Sequence, residues 1–278
     1  MSRRADGYHD IASLYQAIDL GDTLEIELSD KDELSCNHPF LPTDENNLIL
    51  KAARLFRQKT GLSLYTKIYL HKQIPIEAGL GGGSSNAATT LWALNGLAGH
   101  PASIDDLASW SGELGSDISF FFSTGAAYCT GRGEVFKTIQ DFSFPPAYKL
   151  WIGKPSYGLS TQAVYKACTP LLFPSRDPEE ALSQLLKGHP CYFNDLEIPA
   201  FQLMPKLATL KQDLLDLGFF HVTMTGSGTA FFCLGSSSLK PCLFGIEFYE
   251  TQPLLREEHC WYKTPSFCYH SPNRGAYA

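Results

Sequence analysis

The sequence predicts a mixed α/β chain folded in two parts, and three observations carry that expectation. Segments with the two-residue period of a half-buried strand interleave with segments that are apolar on a helical period. A glycine-rich loop, Pro75-Ile76-Glu77-Ala78-Gly79-Leu80-Gly81-Gly82-Gly83-Ser84-Ser85, lies between a strand and the helix-forming residues 87–97. The stretch Phe142-Ser143-Phe144-Pro145-Pro146 then breaks the pattern near mid-chain and marks a boundary. With 278 residues, 44% of them hydrophobic, the chain is long and apolar enough for a large core in one or two domains.

The elements follow in order. Residues 1–10 open on a charged turn, and Asp6-Gly7 is a hairpin signal leading to a strand within residues 11–18. Residues 23–28 alternate and read as a half-exposed strand. Beyond Pro39 and Pro42, Asn46 or Asn47 caps a helix carrying Leu48, Ala52, Leu55 and Phe56, and Gly61 ends it. Residues 62–70 alternate again, with Leu62, Leu64, Thr66, Ile68 and Leu70 on one face, and lead to the glycine loop. Ser84, Ser85 or Asn86 is placed to cap the loop helix, and Ser103 starts the next, with Asp105 and Asp106 in its first turn.

Residues 125–133 and 135–139 form a strand pair around Gly131-Arg132-Gly133, and residues 147–152 a buried strand. Ser160 begins a short helix to Cys168, and Asp177-Pro178 is a cap and first-turn proline for another through Leu186. Residues 201–217 read as one amphipathic helix with Pro205 in or near its first turn. Residues 223–232 are a small-residue turn between apolar strands, and the pattern beyond Ser236 assigns no element.

Composition removes several classes of function. A net charge of −7 argues against a general nucleic-acid binder, which would carry a basic surface. No apolar run approaches the roughly 20 residues that cross a bilayer, so no membrane partner is expected. Eight cysteines without a CxxC pair read as free thiols in a reducing compartment and place the chain in the cytoplasm.

Chemistry concentrates in three stretches. Glycines clustered before a helix let the backbone turn tightly and aim consecutive N–H groups at an anion, most often phosphate. No lysine follows them as in a GxxxxGK[ST] P-loop, and no acid completes a dinucleotide fingerprint. In Gly115-Ser116-Asp117 a single acid stands at a turn before the apolar run 118–122; alone it reads as a turn aspartate. Gly226-Ser227-Gly228 alone reads as a hairpin turn.

Together these stretches, with Asn86-Ala87-Ala88 after the loop, resemble the GHMP small-molecule kinases. Arg4-Ala5-Asp6-Gly7-Tyr8-His9, Ile18-Asp19-Leu20-Gly21-Asp22, Asn47-Leu48-Ile49 and Gly115-Ser116-Asp117 are similar to the family member that acts in non-mevalonate isoprenoid synthesis. The resemblance runs from residue 3 to near residue 232. It implies an N-terminal ATP-binding domain over residues 1–144, ribosomal protein S5 domain 2-like, and a ferredoxin-like domain over 145–278. It also implies ATP as co-substrate with Mg2+, and a small-molecule substrate carrying a cytidine diphosphate group. On the same ground Asp117 is the catalytic aspartate. Pro75, Ile76, Glu77, Ala78, Gly79, Leu80, Gly81, Gly82, Gly83, Ser84 and Ser85 form the phosphate loop, and Asn47 meets adenine. Tyr8 and His9 hold the cytidine, and Tyr165 stacks on its base.

Three departures from the family pattern stand out. The family's first strand carries a second catalytic residue, a lysine, whereas no lysine precedes Lys31 here. A start placed too late explains this; a chain that binds nucleotide without turnover is the alternative, as is a GHMP kinase for another small alcohol. Glu77 stands where the family has glycine, and Ser119 where it has proline.

Overall fold

The computed structural model describes residues 4, 9–139, 148–169, 173–174, 176–189, 191–236 and 238–256. The Asp6-Gly7 turn, Tyr8 and the prolines at 145 and 146 lie outside them. In the first half, β2 (Thr23–Ser29) pairs antiparallel with β4 (Tyr65–His71), and β3 (Glu33–Cys36) joins the other side of β4 in parallel. The alternation of β4 sends Thr66, Ile68 and Leu70 inward; Leu62 and Leu64 precede the strand, and Leu62 is exposed. A second sheet has the order β1-β5-β6, from Ser13–Gln16, Ala126–Thr130 and Val135–Thr138.

The first helix, α1 (Leu48–Thr60), is capped by Asn47, whose side chain accepts from the Ile49 N–H, and closes at Gly61 with φ 72°. It packs on α2 (Gly82–Leu97) through Ala52, Ala53 and Phe56 against Ala87, Ala88, Leu91 and Leu94. Alanines on both faces let the two backbones come close, and Phe56 fills the space between. Truncating so large a buried ring to alanine costs about 3–5 kcal/mol, so this contact fixes α2 in place. Next, α3 (Ile104–Ser111) starts with a reciprocal capping box between Ser103 and Asp106.

The second half is built on β7 (Tyr148–Pro155), β8 (His221–Met224), β9 (Phe231–Ser236) and β10 (Ile246–Thr251). They form an antiparallel sheet in the order β10-β7-β9-β8, the strand order of a ferredoxin-like layer. One face is covered by α4 (Thr161–Ala167), α6 (Glu197–Leu203) and α7 (Lys206–Asp216), through Val164, Ala200, Leu207, Leu210 and Leu214. Residues 201–217 are therefore two helices, not one. Pro205 has no N–H to continue a helix, and Met204 before it is pushed out of helical geometry (φ −142°, ψ 80°). Between β9 and β10 the described residues hold no helix, and Leu239 and Leu243 of that connection pack against the core instead.

The sheet's other face is the floor of the glycine loop: Ile152, Phe232 and Tyr249 pack with Ala78, Leu80 and Ile18. Two further ties join the halves. In α5 (Pro178–Leu186), capped by Asp177, Leu182 and Leu185 cover Ala126, Tyr128 and Ile139. After β10 the chain returns to the first half, where Leu254 N–H donates to Ala17 O at 2.8 Å and Asp19 accepts from Gln252 N–H at 3.0 Å. The unassigned stretch beyond Ser236 thus supplies an edge strand and a clasp.

Candidate active site

The glycine loop enters its helix earlier than the serines suggest. Gly81, at φ 66°, is the N-cap, and the first helical bond runs from Ser85 N–H to Gly81 O at 2.8 Å. The N–H groups of Gly82, Gly83 and Ser84 thus have no carbonyl within the helix to bond. They point from the positive end of a 16-residue helix, which is the arrangement that binds phosphate. Neither serine nor Asn86 is the cap, because both serine hydroxyls are used elsewhere. Ser85 Oγ donates back to Gly82 O at 2.9 Å, and Ser84 Oγ donates to Asp117 Oδ2 at 3.0 Å.

That last bond joins two of the sequence stretches. Asp117 stands in the turn between α3 and the 3-10 turn at Ser119–Phe122, which Phe120 and Phe122 anchor in the interior. Ser119 donates its hydroxyl to Glu134 O at 3.2 Å and so helps to fix the segment. Desolvation pushes the Asp117 carboxyl above its ordinary pKa, while the Ser84 bond and Asp117's own N–H pull the other way. The result is a carboxylate of increased proton affinity, held at the head of a helix that collects negative charge.

The third stretch is a steric partner of the loop. A Cβ on Gly79 would lie 2.7 Å from Gly228 N and collide with Thr225 O, and one on Gly228 would collide with the Ala78–Gly79 peptide. Ala230 N–H donates to Ala78 O at 3.1 Å, and Thr225 Oγ1 to Gly79 O at 3.2 Å. Asn194 Nδ2 reaches both Met224 O and Gly226 O at 2.7 Å, which holds the 226–228 turn from below. These glycines are there so that two backbones can touch.

The remaining expected residues fall around this core. Pro75 and Ile76 lead into the loop, and Ala78 is buried against the second sheet with Leu80. Asn47 spends its side chain on the helix cap and on Pro42 O, at 2.6 Å; its neighbour Leu48 lies beside Gly83. His9 and Tyr165 come together, with ring centroids 5.7 Å apart at 33°. Burial pushes the Tyr165 phenol up to about 12, and the charges of Cys168 and Asp117 add to it. Glu77 has φ 53°, a conformation glycine adopts without strain, and its carboxylate turns to Gly158.

Sequence reasoning missed three groups. Lys72, before the loop, pairs with Asp22, both almost fully buried, and a Cβ on Gly82 would lie 2.8 Å from its Nζ. Asp22 also accepts from the Gln73 and Ile74 N–H groups at 2.7 and 2.8 Å, so this pair sets the approach to the loop. Its signal was present: Asp22 ends the Ile18–Asp22 motif, and a lysine stands three residues before Pro75. Buried Lys154 donates to the carbonyls of Pro155 and Tyr157 at 2.7 and 2.9 Å and fastens the loop before α4; burial lowers its pKa, and Glu77 and Glu247 oppose this. The third group is Tyr15, on β1.

Two family models match the chain, the GHMP kinases N terminal domain over residues 47–125 and the GHMP kinases C terminal over residues 173–240. The chain is 48% identical over 265 residues to a 4-diphosphocytidyl-2-C-methyl-D-erythritol kinase of Protochlamydia amoebophila, covering 95% of this chain and 88% of that one. It is 44% identical to a chloroplastic/chromoplastic kinase of the same name from Solanum lycopersicum, covering 95% and 69%. A crystal structure of 4-(cytidine 5'-diphospho)-2C-methyl-D-erythritol kinase superposes with a TM-score of 0.73 at 33% identity, over 91% of this chain and 93% of that one. A homoserine kinase from Cytophaga hutchinsonii, at 17% identity and a TM-score of 0.66 over 90% and 95%, shares the fold.

Proposed function

This chain belongs to the GHMP kinases, and we propose that it transfers the γ-phosphoryl group of ATP to the 2-hydroxyl of 4-diphosphocytidyl-2-C-methyl-D-erythritol. The observation that carries this reading is the Ser84–Asp117 hydrogen bond, which ties an acceptor-side carboxylate to the phosphate-binding end of α2. Phosphoryl transfer asks the protein to position the reactants and to offset charge. The free N–H groups of Gly82, Gly83 and Ser84 and the α2 dipole offset it on the phosphate side. Asp117 takes the proton of the 2-hydroxyl as that oxygen bonds the γ-phosphorus; the bond to the bridging oxygen breaks, and ADP leaves. A carboxylate whose pKa desolvation raises is the better proton acceptor.

In the same reading Tyr8 and His9 hold the cytidine, Tyr165 stacks on its base and Asn47 meets adenine; the contact between the His9 and Tyr165 rings supports it. Residues 1–144 and 145–278 form the two domains, and the ligands enter between them. Mg2+ needs only one or two protein oxygens beyond phosphates and water. Ser84 Oγ and Asp117 are a hard oxygen pair of that kind at the head of α2. These two groups would hold the ion, whose charge would offset that of the phosphates. In this reading the reaction is cytoplasmic, which suits the free cysteines among the described residues.

The test is ADP release by the purified chain with ATP, with and without the cytidylyl substrate, and phosphorus NMR of the product. Release that requires the substrate, with a new phosphomonoester on C2, supports the proposal. Binding of ATP with no substrate-dependent release contradicts it, as does turnover of homoserine or a sugar instead.

A further inference from the structure

We propose that Tyr15 is a further positioning residue of this site, whose hydroxyl hydrogen-bonds the polyol of the acceptor and holds it beside Asp117. The inference rests on the kinase reading above and assigns how the polyol part of the substrate is gripped.

The placement starts from strand register. In β1 Tyr15 lies opposite Ala127 of β5, on the sheet face that also presents Ala17 and Cys129. Small neighbours leave room for the ring, which stands edge-on to Phe120 with centroids 5.3 Å apart at 79°. This contact aims the phenol end at the Gly131–Gly133 turn. A Cβ on Gly133 would lie 3.4 Å from Tyr15 Oη and 3.6 Å from Ser116 O, so the hydroxyl borders the residue before Asp117. Burial pushes the Tyr15 phenol up, and the Asp117 carboxylate adds to this, as it does at Tyr165. The Tyr15 hydroxyl therefore lies by the Gly133 turn on the Ser116 side, one residue before Asp117 in the chain. A substrate whose cytidine sits at Tyr165 and whose reacting hydroxyl sits at Asp117 passes its carbon chain between the two.

Among the described residues the Tyr15 hydroxyl has no hydrogen-bond partner. It is not among the fully buried polar atoms left unpaired, so it stays open to a ligand, and a tyrosine in a mostly apolar setting gains from a partner for its hydroxyl. A polyol hydroxyl is the partner that restores the balance when substrate binds. A residue serving only to pack against Phe120 would gain nothing from its oxygen, and phenylalanine would serve equally.

The experiment compares the wild type with Tyr15→Phe, which keeps the ring. It measures kcat and KM for 4-diphosphocytidyl-2-C-methyl-D-erythritol, KM for ATP, and the affinity for CDP by calorimetry. The expected result is a fall of about tenfold in kcat/KM for the full substrate, with KM for ATP and CDP affinity unchanged. Unchanged CDP affinity also shows that the variant is folded and that its cytidine site is intact. An active wild type with an equally active variant overturns this inference alone, and so does a loss of CDP affinity equal to the loss for the full substrate. A wild type that neither binds nor phosphorylates the substrate overturns the kinase reading and this inference with it.

Discussion

The two ends of the glycine loop use the same residue type for opposite purposes. At Ala78 and Gly79 the loop is closed against the 225–230 hairpin, backbone on backbone, where a Cβ has no room. At Gly83 a Cβ would meet only Leu48 Cδ1, at 3.5 Å, which is ordinary contact, and the residue is exposed. One end is glycine because protein occupies the space. The other is open, and in the proposed reaction it faces phosphate. Composition cannot tell these apart, since both read as glycine, and their different surroundings predict different responses to substitution.

The largest effect belongs to the open end. Asp117→Asn removes the carboxylate that Ser84 holds there, the proposed proton acceptor, and kcat should fall by about 10²–10⁴-fold. Stability should move the other way. The raised pKa means that the folded chain binds this proton more tightly than the unfolded chain does. The stabilisation is therefore full at low pH and is lost as pH rises through the folded-state pKa. Asparagine carries no charge, so urea titrations should find the variant more stable than wild type at pH 7 and the two converging in acid. A variant less stable than wild type at pH 7 would contradict the desolvated-carboxylate account.

The closed end should show the reverse. Gly228→Ala drives a methyl into the Ala78–Gly79 peptide, and overpacking of that kind costs about 1–3 kcal/mol. The loss should appear in denaturation midpoint as well as in turnover. The smallest effect should come from Gly83→Ala. It adds a methyl to an exposed helical position and should leave stability within about 1 kcal/mol of wild type, in the direction of a gain. KM for ATP should rise, because the methyl stands beside the N–H groups proposed to face the phosphates. Equal destabilisation by the two alanines would erase the distinction between the ends.

Much of the fold was legible because local rules and packing agreed. Asn47, Ser103, Ser160 and Asp177 all cap the helices they precede. The strand pair around Gly131–Gly133 forms as its turn suggests. The misses occur where a side chain had a more distant partner. Ser84 reads as a cap but serves Asp117, 33 residues away. Pro205 reads as a first-turn residue but separates two helices, since the core takes Leu207, Leu210 and Leu214 from one and Ala200 from the other. The edge strand β10 is short and mostly half-buried, so its period is faint, and its place depends on the β7 register. In the site, the glycines and Asp117 were visible as motifs. Tyr15 and Lys154 were not, because each depends on what a fold brings alongside it.

The central claim is that Asp117, held by Ser84 at the head of α2, accepts the proton of the acceptor hydroxyl. The pH dependence of kcat/KM for the cytidylyl substrate in wild type and Ser84→Ala tests it directly. The Ser84 hydrogen bond lowers the Asp117 pKa, so its removal should raise that pKa and move the acid limb of the profile to higher pH. An acid limb at the same pH in both proteins, or none in either, would contradict it.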